Sequence, residues 1–414
     1  MSIWTPDWRI KINGVEYTSA TLANLTISSG RSDIYQQPVA GYCRLNLINT
    51  DQSAITIDIN DGLTVEVKDD AGNWVIIFGG SITDVEVSVS SAGSVGLTQT
   101  INLTALGALH RLTKKVFAGN LAQNTDGAQI AEVLETLLFD TWNLVSASET
   151  WNAYDPTVQW QNAENSGYGE IDPGDYDLDA QNNVEQDAYS LVASLALSGL
   201  GYVYESPSGL INYADSTHRS QYLAANGYVD LTASHALGGN VKSRTRAGDV
   251  RNSVTLQYTT SGNSSVTDSD TESIGLYGQL GQTIRTYLKN QADATSQAAY
   301  YLEIRAFPQP VFDSISFALG NPEIDEIDRA SLLNVFMGMP INLLDLPANM
   351  NEGEFQGFVE GWTFQASVKD LTLTMIVSPI SYSLQAFRWN NVPASETWNT
   401  ISPTLDWLNA TIVA

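Results

Sequence analysis

The sequence has few of the residues that build metal sites and covalent crosslinks. Cys43 is its single cysteine, and His110, His218 and His235 are its three histidines. One cysteine excludes an internal disulfide framework and a cysteine-based zinc site. Cys43 lies in the run GYCRLNLIN, whose alternation predicts a strand, so we expect a small core residue and not a nucleophile. No cofactor or metal is expected.

Short motifs of the common enzyme classes are also lacking. The sequence contains no G-x-S-x-G, H-E-x-x-H, G-x-x-x-x-G-K or G-x-G-x-x-G. Asp175, Asp177 and Asp179 are spaced like the start of a calcium-binding loop, but Ala180 and Gln186 stand where that loop needs glycine and glutamate. We favour a solvated acidic loop there and leave calcium binding open. Together these absences predict that the protein is not an enzyme.

Basic residues are scarce. Lysine and arginine number 19 against 46 acidic residues, which gives a formal net charge of -27. Such a charge repels nucleic acid, so sequence-specific DNA binding is disfavoured. The charge fits either a soluble surface or a channel through which DNA passes without binding. No apolar run reaches the length of a membrane span, and the start, MSIWTPDWRIK, has no apolar signal core, so neither a membrane span nor Sec export is expected.

Tryptophan, in contrast, is concentrated in two near copies of one module, residues 142–163 and 389–410, which agree at 14 of 22 positions. Nine residues separate successive tryptophans, and this spacing would place them on opposite faces of a single strand or helix. Short strands joined by turns are therefore predicted. The indoles could fill a small core of their own or dock on a neighbouring subunit. The candidate partner-docking residues are Trp142, Trp151, Trp160, Trp389, Trp398 and Trp407.

Residues 1–115 have the pattern of a β domain. Asn13-Gly14, between alternating apolar residues, predicts a tight hairpin. Many short strands with regular turns predict a β-barrel. The predicted strands cover residues 42–49, 54–59, 63–67, 74–78, 81–89 and 99–106.

Residues 116–232 predict a smaller α+β domain. A helix is expected from Asp126, which forms a capping-box-like start with Gln129. A polar loop is expected over 159–183, followed by a helix over 184–198. The segment GYVYESPSGLINY then predicts a hairpin that turns at Pro207-Ser208-Gly209.

Residues 233–383 return to a β pattern. Strands are predicted over 253–259, 271–287, 311–319, 340–344, 355–366 and 371–377, a helix over 292–305, and a polar loop around Asp268 and Asp270. This region repeats the first at a nearly constant offset. Gly62-Leu63, Val65 and Val67 match Gly338-Met339, Ile341 and Leu343 at an offset of 276, and Phe78, Gly80, Ile82 and Val85 match Phe355, Gly357, Val359 and Trp362 at 277. Two related barrels in one chain are predicted.

With these elements in order, the chain resembles the minor tail or baseplate hub proteins of tailed bacteriophages. The resemblance rests on WTPDWRIKINGVEYT, IFGGSITDVEV, TDGAQIAEVLETLL, LVASLALSGLGYVYESPSGLINYADSTHR with Arg219 at its end, DVRNSVTLQY, SIGLYGQ, ATSQAAYYLEIRAFPQP and GMPINLLDLP…FQGFVEGWTFQ. The first tryptophan module, inside the middle domain, departs from the family pattern.

The resemblance implies a mainly β fold with an α+β insertion. Two hub-type β-barrels would cover residues 1–115 and 233–383, with the α+β domain at 116–232 and a Trp-rich arm at 384–414. It also implies a homotrimer in the virion, made in the host cytoplasm, that closes a sixfold tail tube with a threefold tip and lines a DNA exit channel. The implied partners are a distal tail or tail-tube ring, a tape measure protein, and tail fibre or tip proteins. A carbohydrate-binding or depolymerising receptor-binding tail protein is the alternative.

Overall fold

A computed structural model describes residues 4–34, 36–49, 53–91, 97–139, 168–235, 243–308, 311–312, 314–348 and 353–380. Both tryptophan modules, and with them all six candidate docking tryptophans, lie outside the described residues. Every helix in the described ranges is too short or too polar to cross a bilayer.

Strands and helices alternate unevenly along the chain. The first part contains β1 Trp8–Ile12, β2 Val15–Glu16, β3 Thr21–Gly30, β4 Val39–Asn49, β5 Gly62–Lys68, β6 Trp74–Ser91 and β7 Leu97–Leu106. The middle contains α1 Leu109–Thr113, β8 Val116–Leu121, β9 Asn124–Thr125, α2 Asp126–Phe139, β10 Tyr168–Ile171, β11 Asp177–Leu178, β12 Gln181–Asp187, α3 Ala188–Ser198, β13 Tyr202–Glu205, β14 Ile211–Ala214 and α4 His218–Asn226. The remainder contains β15 Val229–Thr232, β16 Ser243–Arg244, β17 Ser253–Tyr258, β18 Ser264–Ser269, α5 Thr271–Tyr277, β19 Gly281–Arg285, α6 Gln291–Arg305, β20 Val311–Phe312, β21 Ile315–Ala318, α7 Glu326–Leu333, β22 Pro340–Leu344, β23 Phe355–Ser367 and β24 Leu371–Pro379.

The predicted hairpin at Asn13-Gly14 is confirmed. Strands β1 and β2 pair with Ile12 opposite Val15. Asn13 and Gly14 have φ of 49° and 77°, which is the left-handed pair that a two-residue turn needs to match strand twist. This hairpin forms one end of the large sheet.

One large mixed sheet joins the first and last parts of the chain. Its strand order is β15-β22-β23-β3-β4-β7-β6-β5-β1-β2, with β24 on the other edge of β23 and β21 beyond it. Strands β15 and β22 are parallel, whereas the other pairs are antiparallel. The fold is therefore mainly β, as predicted.

The two β regions meet at β3 and β23, which pair from Gly30 opposite Gly361 to Asn24 opposite Ser367. The sequence gives no prediction of β3, although this strand links the two halves. A single hydrophobic core contains residues of both regions, including Leu45 and Leu103 from the first and Phe364 and Leu373 from the second. Closure of each region into its own barrel stays a prediction.

A second core lies under α3 and contains residues of the middle region together with Val254, Leu256, Ala298 and Tyr301. These four residues come from β17 and α6, so this core extends across residue 232. The four-part division of the chain at residues 115, 232 and 383 stays a prediction.

Several local predictions were wrong. Residues 54–59 are not a strand, and the two strands predicted over 74–89 form the single strand β6. The predicted loop over 159–183 contains β10 and β11 and the start of β12. Around Asp268 the structure has strand β18, and part of the predicted strand over 271–287 is helix α5. Helix α5 begins there because the Asp270 side chain accepts a hydrogen bond from the Ser273 amide and caps its first turn.

The capping box predicted at Asp126 and Gln129 is also wrong. Asp126 accepts hydrogen bonds from the Tyr176 amide and the Tyr213 hydroxyl, and Gln129 donates to the Ala122 carbonyl. Both side chains are buried. Asp126 and Gln129 therefore connect the start of α2 to other segments of the fold, because a buried polar side chain needs hydrogen-bond partners.

The repeat predicted from the sequence has a structural counterpart. Strands β5, β6 and β7 form an antiparallel meander, and β22, β23 and β24 form a second one with the same order. The β6–β7 pairing shifts register between Ile82 and Asp84, and the β23–β24 pairing shifts between Val359 and Gly361. These positions correspond at the predicted offset of 277. A bulge at the same aligned place supports a common origin for the two meanders.

Strand pairing also corrects one part of the predicted repeat. Leu63 lies opposite Gly80, and Ile341 lies opposite Gly357, so Leu63 corresponds to Ile341 at an offset of 278. The sequence match had placed this strand two residues away. A shift of two keeps every side chain on the same face of a strand, so hydrophobic alternation cannot detect it.

Gly80 and Gly357 provide a stability test of the repeat. A Cβ at Gly80 would lie 2.4 Å from the Leu106 carbonyl oxygen, and one at Gly357 would lie 2.3 Å from that of Ser378. We expect Gly80→Ala and Gly357→Ala each to lower the free energy of unfolding by about 1–3 kcal/mol, because the neighbouring strand must move. Gly275→Ala is the control, since it has open space and lies in helix α5. Thermal unfolding of the four proteins measures this; equal midpoints would contradict the close strand approach.

Candidate functional site

A buried ionic cluster lies where three parts of the chain meet. Glu360 lies on β23, Arg31 follows β3, and Arg219 lies in the first turn of α4. Their side chains are between 1% and 6% exposed. We call Arg31, Arg219 and Glu360 the junction cluster.

The Glu360 carboxylate is the centre of the junction cluster. Arg31 Nε donates to Glu360 Oε2 at 2.7 Å, and Arg219 donates to both carboxylate oxygens at 2.8 and 2.9 Å. The Ser378 hydroxyl adds a bond to Oε1 at 2.5 Å. The contact of Arg219 with both carboxylate oxygens fixes the plane of its guanidinium group as well as the position of that group.

Backbone and aromatic contacts complete the cluster. The Arg31 amide donates to the Glu360 carbonyl at 2.8 Å, and the Arg31 side chain donates to the Gln36 carbonyl at 3.1 Å. The Tyr202 ring lies 5.2 Å from the Arg31 guanidinium carbon and 4.8 Å from that of Arg219. Two cations against one carboxylate leave a buried excess positive charge, which the electron-rich ring face and the carbonyl stabilise.

The titration of Glu360 follows from this arrangement. Burial by itself would raise the pKa of Glu360, but the charges of Arg219 and Arg31 and their hydrogen bonds outweigh it and hold the pKa well below its ordinary value. The same carboxylate raises the pKa of Arg219 against the effect of burial. Burial lowers the pKa of Arg31, and the charge of Glu360 opposes this shift. Glu360 and Arg219 therefore stay charged at any ordinary pH, and the cluster serves as a fixed joint between chain segments.

A second buried carboxyl ties the middle region to the first β region. Glu205, on β13, accepts hydrogen bonds from the Gly41 amide at 2.5 Å and from the Leu109 amide at 3.1 Å. A Cβ at Gly107 would lie 2.0 Å from Glu205 Oε1, so this approach requires a glycine. Burial raises the pKa of Glu205 to about 7, although the two amide donors partly oppose the shift.

The loop between β3 and β4 is held to the middle region by further polar contacts. Gln37 donates to the Gly201 carbonyl at 3.0 Å and accepts from the Val203 amide at 3.2 Å. The Tyr189 hydroxyl donates to the Pro38 carbonyl at 2.6 Å. With Arg31 and Glu205, these contacts hold the two regions in a fixed relative position.

The candidate residues named in the sequence analysis lie in separate parts of the structure. Arg219 belongs to helix α4, after the predicted hairpin of β13 and β14, and its role in the junction cluster was not predicted. Asp175 accepts from Ser216, and Asp179 accepts from Thr260, so these two carboxylates bind different segments. Among the described residues, no group of three or more histidine, cysteine, aspartate or glutamate side chains is gathered to hold a metal. Cys43 is fully buried in β4, as predicted, and burial raises the pKa of its thiol.

One sequence signal could have identified Glu360. It is the single acidic residue in the strand FQGFVEGWTFQAS, whose other residues are apolar, small or neutral. A lone charge in an otherwise buried strand needs a partner. The partners themselves, Arg31 and Arg219, are 329 and 141 residues away, and no local pattern connects them.

Comparisons with known proteins identify the fold. No family model and no curated protein sequence matches the chain. The chain is similar in structure to the 43 kDa tail protein of prophage MuSo2 from Shewanella oneidensis, with a TM-score of 0.55, 13% identity, and coverage of 91% of this chain and 98% of that one. It is also similar to the tail protein from Neisseria meningitidis MC58, with a TM-score of 0.59, 12% identity, and coverage of 92% and 98%.

Replacing the central carboxylate tests the junction cluster. Glu360→Gln leaves two buried guanidinium groups without a counter-charge, so we expect a loss of about 3–5 kcal/mol in the free energy of unfolding. Asp7→Asn is the matched control, because it breaks an exposed pair with Lys68 at 3.6 Å and is expected to cost less than about 1 kcal/mol. Denaturant titration of the variants compares the two, and similar small losses would contradict a structural role for the cluster.

The raised pKa of Glu205 predicts a pH dependence of stability. The pKa of Glu205 is about 7 in the folded protein and lies near 4.3 in the unfolded chain. The folded protein therefore holds the proton more tightly, so this contribution is complete below about pH 4.3 and is lost as the pH rises through 7. Burial raises the pKa of Asp126 to about 6, which acts in the same direction.

We therefore expect Glu205→Gln to flatten the decline of the thermal midpoint between pH 5 and pH 8, by an amount that corresponds to at most about 3 kcal/mol. Glu16→Gln, on the exposed strand β2, is the control and should keep the slope of the parent protein. Parallel profiles for parent and Glu205→Gln would show that Glu205 does not titrate in this range.

The structural likeness extends over nine-tenths of the chain and almost the whole of both tail proteins, so the chain has the tail-protein fold, as the resemblance predicted.

Proposed function

We propose that this protein is a structural component of a bacteriophage tail tip, of the hub or minor tail type. It closes the sixfold tail tube, adapts it to a threefold tip and forms part of the DNA exit channel. The role is assembly and gating, with no bond chemistry. The observation that carries the proposal is the internal repeat of the β5–β6–β7 meander in β22–β23–β24.

The repeat supports a symmetry match. Three copies of a chain with two related halves present six similar faces, and a sixfold ring offers six equivalent sites. A point-group assembly of this kind uses the same contact several times. The junction cluster supports the same role, because it fixes the two halves relative to each other within each copy.

The charge of the chain supports passage of DNA through the assembly. A net charge of -27 gives a surface that repels the phosphate backbone. DNA would therefore move past such a wall without being retained.

The proposed partners follow from that position. A distal tail or tail-tube ring would contact the sixfold face, the tape measure protein would end in the channel, and tail fibre or tip proteins would bind outside. Trp142, Trp151, Trp160, Trp389, Trp398 and Trp407 stay candidates for docking on these partners, because large rigid indoles contribute most where they are fully covered. The protein would be found in the virion.

Mass measurement of the purified protein tests the proposal. We expect a particle of three times the chain mass of 44.9 kDa across a wide concentration range. Imaging of the assembled tail should then place three copies at the tip of the tube. A chain that stays monomeric at every concentration, and is found elsewhere in the particle, would contradict the proposed role.

A further inference from the structure

A cleft with a volume of about 430 Å³ lies where four parts of the fold meet. Its walls are the turn of the β1–β2 hairpin, the strands β5 and β6, helix α1, and the turn between β13 and β14. Ligand sites in proteins commonly have volumes of about 300–1,000 Å³, so there is room for a ligand of monosaccharide size. We call it the hairpin cleft, and its polar lining residues are Asn13, Thr64, Ser81, Arg111 and Ser208.

Hydrogen bonds hold three of the walls together. Asn13 Oδ1 accepts from the Gly62 amide at 2.8 Å, and the Asn13 amide donates to the Gly62 carbonyl at 2.8 Å, so the β1–β2 turn is attached to β5. Arg111 Nη2 donates to Ser81 Oγ at 2.5 Å, which connects α1 to β6. A site that is formed before its ligand arrives avoids the cost of ordering its walls on binding.

The fourth wall, the turn between β13 and β14, lies directly on the backbone of β6. A Cβ at Gly79 would lie 2.6 Å from the Ser208 carbonyl carbon and 2.9 Å from the Gly209 nitrogen, so this approach requires a glycine. The Gly209 amide donates to the Ser206 carbonyl at 2.9 Å and closes the turn. The turn therefore keeps Ser208 beside β6.

The charge of the hairpin cleft is opposite to that of the whole chain. Among the described residues that line it, Arg111 is the only charged one, whereas the chain has 46 acidic and 19 basic residues. A guanidinium group stays charged at any ordinary pH, and its planar set of donors matches the oxygens of a phosphate or a carboxylate. The cleft is therefore a place where an otherwise acidic protein attracts an anion.

Hydroxyl groups supply further hydrogen bonds in the hairpin cleft. Thr64, Ser81 and Ser208 line it together with Arg111. Hydroxyls both donate and accept, so they suit an oxyanion and also the hydroxyls of a sugar. Several donors favour a phosphate, which has three peripheral oxygens, over a carboxylate, which has two. The described lining residues include no aromatic side chain on which a neutral sugar ring would stack.

We propose that the hairpin cleft binds a phosphate group carried on a sugar or another polyol. Arg111 pairs with the phosphate oxygens, the hydroxyls of Thr64 and Ser208 bond to the ligand, and the remaining volume holds the polyol. A free sugar phosphate and a polymer of polyol phosphate units have this chemistry in common. Such binding needs only one copy of the chain and does not depend on the proposed tail-tip role.

Calorimetric titration of the full chain tests the proposal with matched probes. We expect glucose 6-phosphate to bind with a dissociation constant at or below about 1 mM, and glucose and glucuronate to bind at least about tenfold more weakly. A glycerol phosphate polymer identifies the source of the ligand. Tighter binding of the polymer supports the proposal and indicates a polymeric ligand, whereas tighter binding of glucose 6-phosphate supports it and indicates a small one.

Two variants locate the binding in the hairpin cleft. Arg111→Gln removes the cation and is expected to weaken binding of the phosphate probe by about tenfold to a hundredfold. Thr64→Leu keeps Arg111 but fills part of the cleft, so it should also abolish tight binding. Arg285→Gln is the matched control, because Arg285 is exposed on β19 and does not line the cleft. Thermal midpoints of all three variants show that each is folded.

The outcomes separate the parts of the proposal. Loss of binding in both folded cleft variants, with full binding in Arg285→Gln, supports it. Equal binding of glucuronate overturns the preference for phosphate, and equal binding of glucose overturns the role of the charge. Unchanged affinity in Arg111→Gln and Thr64→Leu places the ligand elsewhere and overturns the assignment to the hairpin cleft. The absence of binding by every phosphate probe overturns the proposal as a whole.

Discussion

The antiparallel contact between β3 and β23 is the constraint on which the rest of the architecture depends. It connects the first and last parts of the chain into one sheet and lets their side chains share one core. Glu360 lies just before this contact on β23 and Arg31 just after it, so the ion pair fixes the end of the paired stretch. A buried ion pair adds little net stability but tolerates few alternative arrangements. It therefore suits a contact that sets the relative orientation of the two β regions.

Much of the fold was accessible from the sequence because alternation and turn residues are strong signals. Strands β22 and β24 and helices α2 and α6 were predicted within a few residues. Strand β3 was missed because a register shift between Leu22 and Asn24 breaks the two-residue alternation of its apolar residues. Strand β18 was missed because most of its side chains are polar and exposed, so it has no buried face to detect.

The candidate functional site was harder to predict from the sequence than the fold, for a different reason. The junction cluster depends on contacts between residues that are hundreds of positions apart, and a single sequence contains no signal for such pairs. Glu205 shows the same limit, since its hydrogen-bond donors are the backbone amides of Gly41 and Leu109, which lie far from Glu205 along the chain. The repeat was the exception. Its two copies share hydrophobic spacing and glycines, so the sequence alone predicted a repeated β unit.

If the protein forms the proposed ring of six similar units, the pairing of β3 with β23 within one chain changes how that ring is built. If each unit were a separate protein, six independent molecules would have to lose their translational and rotational freedom. Fusion of two units into one polypeptide forms every second contact during folding, without dependence on concentration. Only three encounters then remain, and the number of units per ring is restricted to even values. Tandem fusion thereby makes assembly at low copy number faster and guards against rings with an odd number of units.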